Sequence, residues 1–198
     1  MKKVLIFDIF GDYGQFKKFF TNMSPLSFDF PPRTVVAGII GAIGGIQKED
    51  NPEFFAKDRC FIALQILKEV KKTKIPQNYL KTVSKTEVYR FKNHKPTNVE
   101  FVKDAAFRIF FSHKDVAFNN SFHSLLKEHK AVYTPSLGTA GCLLNYRFIG
   151  ESEIESVVSA DFQLISSVVP EENILDISFD QGGKISRTSM PFEMKNDR

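Results

Sequence analysis

The sequence predicts an α+β fold: a ferredoxin-like unit with a protruding β-hairpin arm and a smaller β-rich C-terminal appendage. Three observations predict it. Short β-branched and aromatic runs, Val4–Phe10 and Ala106–Phe111 among them, have strand character. Helix starts are marked at Pro31-Pro32 and at Asn119-Asn120. Between Lys68 and Val99 lies a stretch with no clear period that contains Pro76 and Pro96 and suits an arm outside the core.

Taken in order, Val4–Phe10 reads as a buried strand that Gly11 and Gly14 break. Residues 15–30 mix aromatics, lysines and small hydroxyl residues, and read as a long loop or irregular hairpin. Pro31-Pro32 opens a helix over Arg33–Ile43, and Gly44-Gly45 stop it. Asn51-Pro52 starts a short helical turn, and Cys60–Leu67 is a strand. After the arm come the strand at 106–111 and a helix capped by Asn119 or Asn120 and running to about Lys130, with Phe122, Leu125, Leu126 and His129 near one face. From residue 131 on, five runs look mainly β, separated by PSLG, Gly150 and Gly182-Gly183. The order β–loop–α–β–arm–β–α–β is that of a split βαβ unit. Residues 1–133 then form one domain that includes the arm, and 134–198 form a β-rich part packed on it.

At 198 residues the chain is long enough to bury a core without disulfides or metal. Its hydrophobic fraction of 42% excludes wholesale disorder. Cys60 and Cys142 each sit in an apolar stretch, read as buried thiols in a reducing, cytoplasmic setting. The longest apolar run, Val35–Ile46, holds four glycines and is too short to span a bilayer, so no membrane partner is expected. Charge is unevenly placed. Lys68–Lys95 carries nine basic and two acidic residues, a net +7, against −3 for the rest of the chain. A concentrated positive segment on a near-neutral body points to a polyanion.

The block Gly11–Ile46 carries the most chemistry. Its glycines permit close backbone approach, while Gly38 and Gly41 read as helix-packing residues. Lys17 and Lys18 supply charge, and Tyr13, Phe16, Phe19 and Phe20 supply rings. Thr21, Ser24 and Ser27 supply short donors, and Arg33 stands at a helix N-terminus that already favours an anion. Together these residues suit a nucleic-acid backbone.

The stretch SPLSFDFPPRTVVAGIIGAIGGIQKED resembles the N-terminal signature of the CRISPR-associated family-five (Cas five) subunit of type I Cascade complexes, in its type I-B-like branch. The matching positions are Pro31, Pro32, Arg33 and Thr34, then Gly38, Gly41, Gly44, Gly45 and Gln47–Asp50. TPSLGTAGCLLNYRFIG at 134–150 and ISRTSMPFEMKNDR at 185–198 resemble two further family segments in the same order. The resemblance implies an RRM-like domain whose hairpin "thumb" is the arm. It implies a subunit that grips the 5′ handle of the crRNA and contacts the Cascade backbone subunit and the large subunit. The RNA-binding residues are then expected to be Lys17, Lys18, Thr21, Ser24, Arg33, Lys81, Lys85, Arg90, Lys92, His94 and Lys95. The strand Phe107–Phe111 lacks the glycine–aromatic pattern that stacks bases on an RRM sheet.

One branch of that family cuts precursor crRNA without metal through a Tyr–Lys–His cluster. The raw material here is Tyr13, Tyr79 and Tyr89 with the pairs His94-Lys95 and His113-Lys114. No metal motif, Ser/His/Asp arrangement or P-loop is present. The expectation is a binding subunit and not an enzyme, with no cofactor and no small-molecule ligand. The alternative is a metal-independent endoribonuclease.

Overall fold

The structure is a computed structural model that describes residues 2–21, 23–80, 94–155, 162–178 and 186–194. Its strands are β1 (Lys2–Gly14), β2 (Cys60–Ile66), β3 (Lys71–Leu80), β4 (His94–His113) and β5 (Asn145–Ile154). The helices are α1 (Arg33–Gly44), α2 (Asn51–Phe54) and α3 (Val116–Lys127), with a 3₁₀ turn at Glu171–Asn173. All paired strands run antiparallel in the order β2-β4-β1-β5, and β3 pairs with the N-terminal half of β4.

One face of the sheet is covered by helices because its alternate residues are apolar. Phe7, Ile9, Phe107, Ile109 and Phe111 are buried there against Ile40 and Ile43 of α1 and Phe118, Phe122 and Leu126 of α3. Phe122 meets Phe7 and Phe111 edge-on, at 5.7 and 5.3 Å between ring centres. On the opposite face Asp8 is buried between Arg108 (Nε to Oδ1, 2.8 Å) and Arg147 (Nη2 to Oδ2, 3.4 Å), its cross-strand neighbours on β4 and β5.

Helix α1 follows Pro31-Pro32 as expected and ends on Gly45, whose φ of 82° is left-handed. Two of its glycines differ from each other. A Cβ on Gly41 would meet Asn51 Oδ1 at 2.5 Å, so α1 and α2 approach there only because it is glycine. Gly38 has open space around its Cβ position and is not a packing residue.

Several expectations are corrected. β1 does not break at Gly11 but runs on to Gly14, where it ends as expected, and neither glycine has positive φ; β4 pairs along it as far as Gly14↔Val102. Gly11 does allow close approach, but of the Leu143 carbonyl of the same chain. Helix α3 starts earlier than predicted, at Val116, because Asp115 caps it by accepting from Phe118 N at 3.0 Å. The C-terminal part is not β-rich among the described residues. Its one strand, β5, joins the main sheet beside β1, and residues 162–178 and 186–194 contain no strand. A strand needs a free edge with matching register, which composition alone does not supply.

The arm is a hairpin, β3 with the first half of β4, as predicted. β2 and β3 lie end to end on one side of β4. The pairing slips by one residue between Ile66↔Phe107 and Lys71↔Lys103, and at that level Asp104 has a φ of 51°.

Candidate nucleic-acid interface

Three parts of the chain meet at the root of the arm: the end of β1, the loop 15–30, and the paired strands β3 and β4. The loop is an irregular hairpin. Lys17 and Ser27 form an isolated antiparallel bridge, and Lys18 N donates to Leu26 O at 2.8 Å. Thr21 Oγ1 donates to Lys18 O (2.8 Å) and accepts from Leu26 N (3.2 Å), closing the tip. Phe16 and Phe28 point inward as core residues. Gly138, in the PSLG turn, has a φ of 92°, and a side chain there would collide with the Gln15 carbonyl, so this turn clamps the start of the loop.

The loop is fastened to the arm by a polar knot. Lys72 Nζ donates to Ser27 O (2.8 Å) and lies 2.6 Å from Asp29 Oδ1 and 3.3 Å from Glu100 Oε1. Glu100 also accepts from Ser27 N at 3.1 Å, and its own N–H donates to Pro25 O at 2.9 Å. Burial works against the Lys72 charge, but the hydrogen bonds and charges of Asp29 and Glu100 outweigh it and hold the ammonium above its ordinary range. One lysine thus engages both carboxylates of the knot.

The remaining cations at the root are unpaired or nearly so. Across three strands, Tyr13 (β1), Lys103 (β4) and Lys71 (β3) stand opposite one another. Like charges directly opposed across a ladder are destabilising. Lys71 lies 4.0 Å from Glu69, but both are well exposed and such a contact is worth little. Lys17, Lys18 and Lys103 have no carboxylate within ion-pair distance among the described residues. Lys18 Nζ instead lies over the rings of Phe28 and Phe20, at 5.6 and 6.0 Å. The arrangement can hold an anionic chain: a fixed backbone, exposed cations and exposed rings.

The predicted site residues divide. Lys17 and Lys18 lie in the loop at this root. Thr21 spends its hydroxyl on the loop itself, while Ser24 is exposed beside it. His94 and Lys95 are exposed where β4 begins, farther out along the arm. Lys81, Lys85, Arg90 and Lys92 lie outside the described residues, as does Tyr89. Arg33 turns elsewhere. Its guanidinium reaches Cys60 Sγ (3.1 Å) and O (3.4 Å) and covers the Phe192 ring at 5.4 Å, at the far end of β2. β2 alone separates the two ends by about 20 Å. Lys71 and Lys103 escaped the predicted site set. Lys103 falls outside the basic segment, and only the β3–β4 register places it opposite Lys71.

The raw material for cleavage is scattered. Tyr79 pairs opposite Lys95, but His94 is the next residue on the same strand and so faces the other side. His113 is buried, with Nε2 2.9 Å from Phe54 O and Nδ1 accepting from Asp115 N at 2.9 Å, while it stacks on Phe54 at 4.4 Å. Among the described residues no cluster suits a metal ion, and no helix is long and apolar enough to cross a membrane. Cys60 and Cys142 are both buried.

A family model for the CRISPR-associated protein (Cas_Cas5) matches residues 4–192. The chain belongs to the Cas5 family. Among solved structures, it is similar to a chain of a CRISPR RNA-guided surveillance complex, with 11% identity and a TM-score of 0.55 over 71% of this chain and 59% of that one. It is also similar to a chain of the Type III-B Cmr-beta complex bound to cognate target RNA, with 13% identity and a TM-score of 0.51 over 76% and 61%. At such identity the likeness is one of fold. This chain spans less than two thirds of the length of those two chains. No curated protein matches the sequence.

Proposed function

We propose that this Cas5-family chain is a structural subunit of a CRISPR surveillance complex in antiviral defence. It holds the 5′ handle of the crRNA at the root of its arm and contacts the backbone and large subunits, as in the type I-B-like branch. The observation that carries this reading is the group of Lys17, Lys18 and Lys103, without a carboxylate partner among the described residues, together with Lys71, held only by a 4.0 Å exposed contact to Glu69, beside Tyr13 on a backbone already pinned by Lys72. The strand order β2-β4-β1-β5 with α1 and α3 on one face is the order of a ferredoxin-like, RRM-like unit and supports the same reading. We read the chain as a binder and not a nuclease, because His113 is occupied and His94 faces away from Tyr79 and Lys95.

Titration of single-stranded repeat RNA against salt tests the reading. About five phosphate contacts give a log–log slope of roughly −3.5. A slope near zero would remove the RNA. Incubation with labelled repeat RNA in EDTA tests the second half: the expected result is no cleavage, and a specific cut lost in His94→Ala would overturn it.

A further inference from the structure

We infer that Phe19 and Phe20 form a stacking platform for an unpaired nucleobase, which deepens the RNA-holding reading and rests on it. Both rings are exposed at adjacent positions, 66% and 62%, at the tip of the loop. They meet edge to face, 5.2 Å between centres and 88° between planes, so each ring holds the other upright. The tip beneath them is not slack. The Lys17–Ser27 bridge, the Thr21 hydroxyl and the Lys72 knot fix its backbone.

Exposed rings of this kind suit either a protein surface or a base, and the surrounding charge favours the base. Lys17 and Lys18 precede the rings directly and have no carboxylate partner among the described residues. Lys18 Nζ already lies 6.0 Å from the Phe20 ring centre, so a phosphate drawn to it brings its own base within reach of the platform. Aromatic rings interleaved with unpaired cations are the pattern of single-stranded nucleic-acid grooves, where stacking tolerates any base. The sheet, which lacks the RRM stacking pattern, leaves this role to the loop.

The experiment uses the full chain and two labelled eight-nucleotide RNAs, one intact and one abasic throughout, with binding read by fluorescence anisotropy. The variants are Phe19→Leu/Phe20→Leu, which keeps apolar bulk but removes the ring faces, and Phe19→Tyr/Phe20→Tyr, which keeps the rings. The wild type and the Tyr pair should prefer the intact RNA roughly tenfold. The Leu pair should lose that preference, with the salt slope and thermal midpoint unchanged. If the Leu pair keeps the preference, the platform is not there. If it binds both RNAs as the wild type does but no longer co-assembles with partner chains, the rings serve a protein contact and the inference falls. If the wild type binds neither RNA with a salt slope, the RNA-holding reading falls first, which is a separate outcome.

Discussion

Tyr146 carries its hydroxyl into the core with no hydrogen-bond partner, and burial pushes the phenol up from its ordinary range. Its ring stacks on His129 at 4.6 Å, so the ring is useful and the oxygen is not. Tyr146→Phe should therefore stabilise the fold by about 1 kcal/mol, measured by urea denaturation, since it removes a desolvated group and keeps the ring. Glu151 gives a pH signature. Its hydrogen bond to Lys3 is the largest cause holding its carboxyl below the ordinary range; burial opposes it, and His123, 2.8 Å away, adds to it. A lowered carboxylate contributes stability that is full above its unfolded value and is lost as pH falls through the folded one. Thermal midpoints should thus decline as pH drops below about 4.5, and Glu151→Gln should blunt that decline. At this scale the sequence was partly legible. Buried cysteines and the cations of the loop follow from residue type, but Lys103 acquires meaning only from its partner across the ladder.

At the scale of elements, α1 was readable because two prolines open it, a small apolar run fills it and a glycine ends it. What the run could not tell was which glycine packs. Gly38→Ala should raise stability by up to about 1 kcal/mol, since a Cβ there meets nothing and glycine is a poor helix former. Gly41→Ala should lower it, because Asn51 and Phe55 occupy the space. Opposite signs from one substitution in one helix, read by calorimetry, would check the α1–α2 contact. The start of α3 was misplaced by four or five residues because Asn119 and Asn120 look like caps, whereas the Asp115 side chain holds that position and Asn119 instead hydrogen-bonds His113. The C-terminal runs look like strands by composition. Only one of them, β5, has an edge of β1 to pair with among the described residues.

For the whole molecule, the arm and the body are chemically distinct: lysines fill one, phenylalanines the other. Deleting residues 74–96 should leave a single cooperative thermal transition, because the buried rings of the body stay in place. The same deletion should weaken assembly into a complex, read by co-purification with partner chains. A loss of the transition itself would mean that the arm is part of the folding unit.

The twenty residues of β4 run without interruption from the arm into the middle of the body, a beam of about 65 Å. Its companions are not continuous. On one side β2 gives way to β3 at Leu67–Val70, and on the other β1 stops at Gly14. The arm is therefore a cantilever built on one continuous strand and braced at its root by the Lys72 knot to the loop. The strand's weak plane lies where Asp104 adopts a left-handed conformation opposite the gap. A load on the tip would be felt there as bending, while stretching is resisted by the ladder on both sides. Asp104→Gly, which frees that φ, should soften the bend without loosening the body, whereas Asp104→Val, which disfavours that φ, should cost roughly 1–2 kcal/mol of stability. Hydrogen exchange at Lys103 and Ala105 would register the difference, and one residue, Asp104, then sets where along β4 the arm yields.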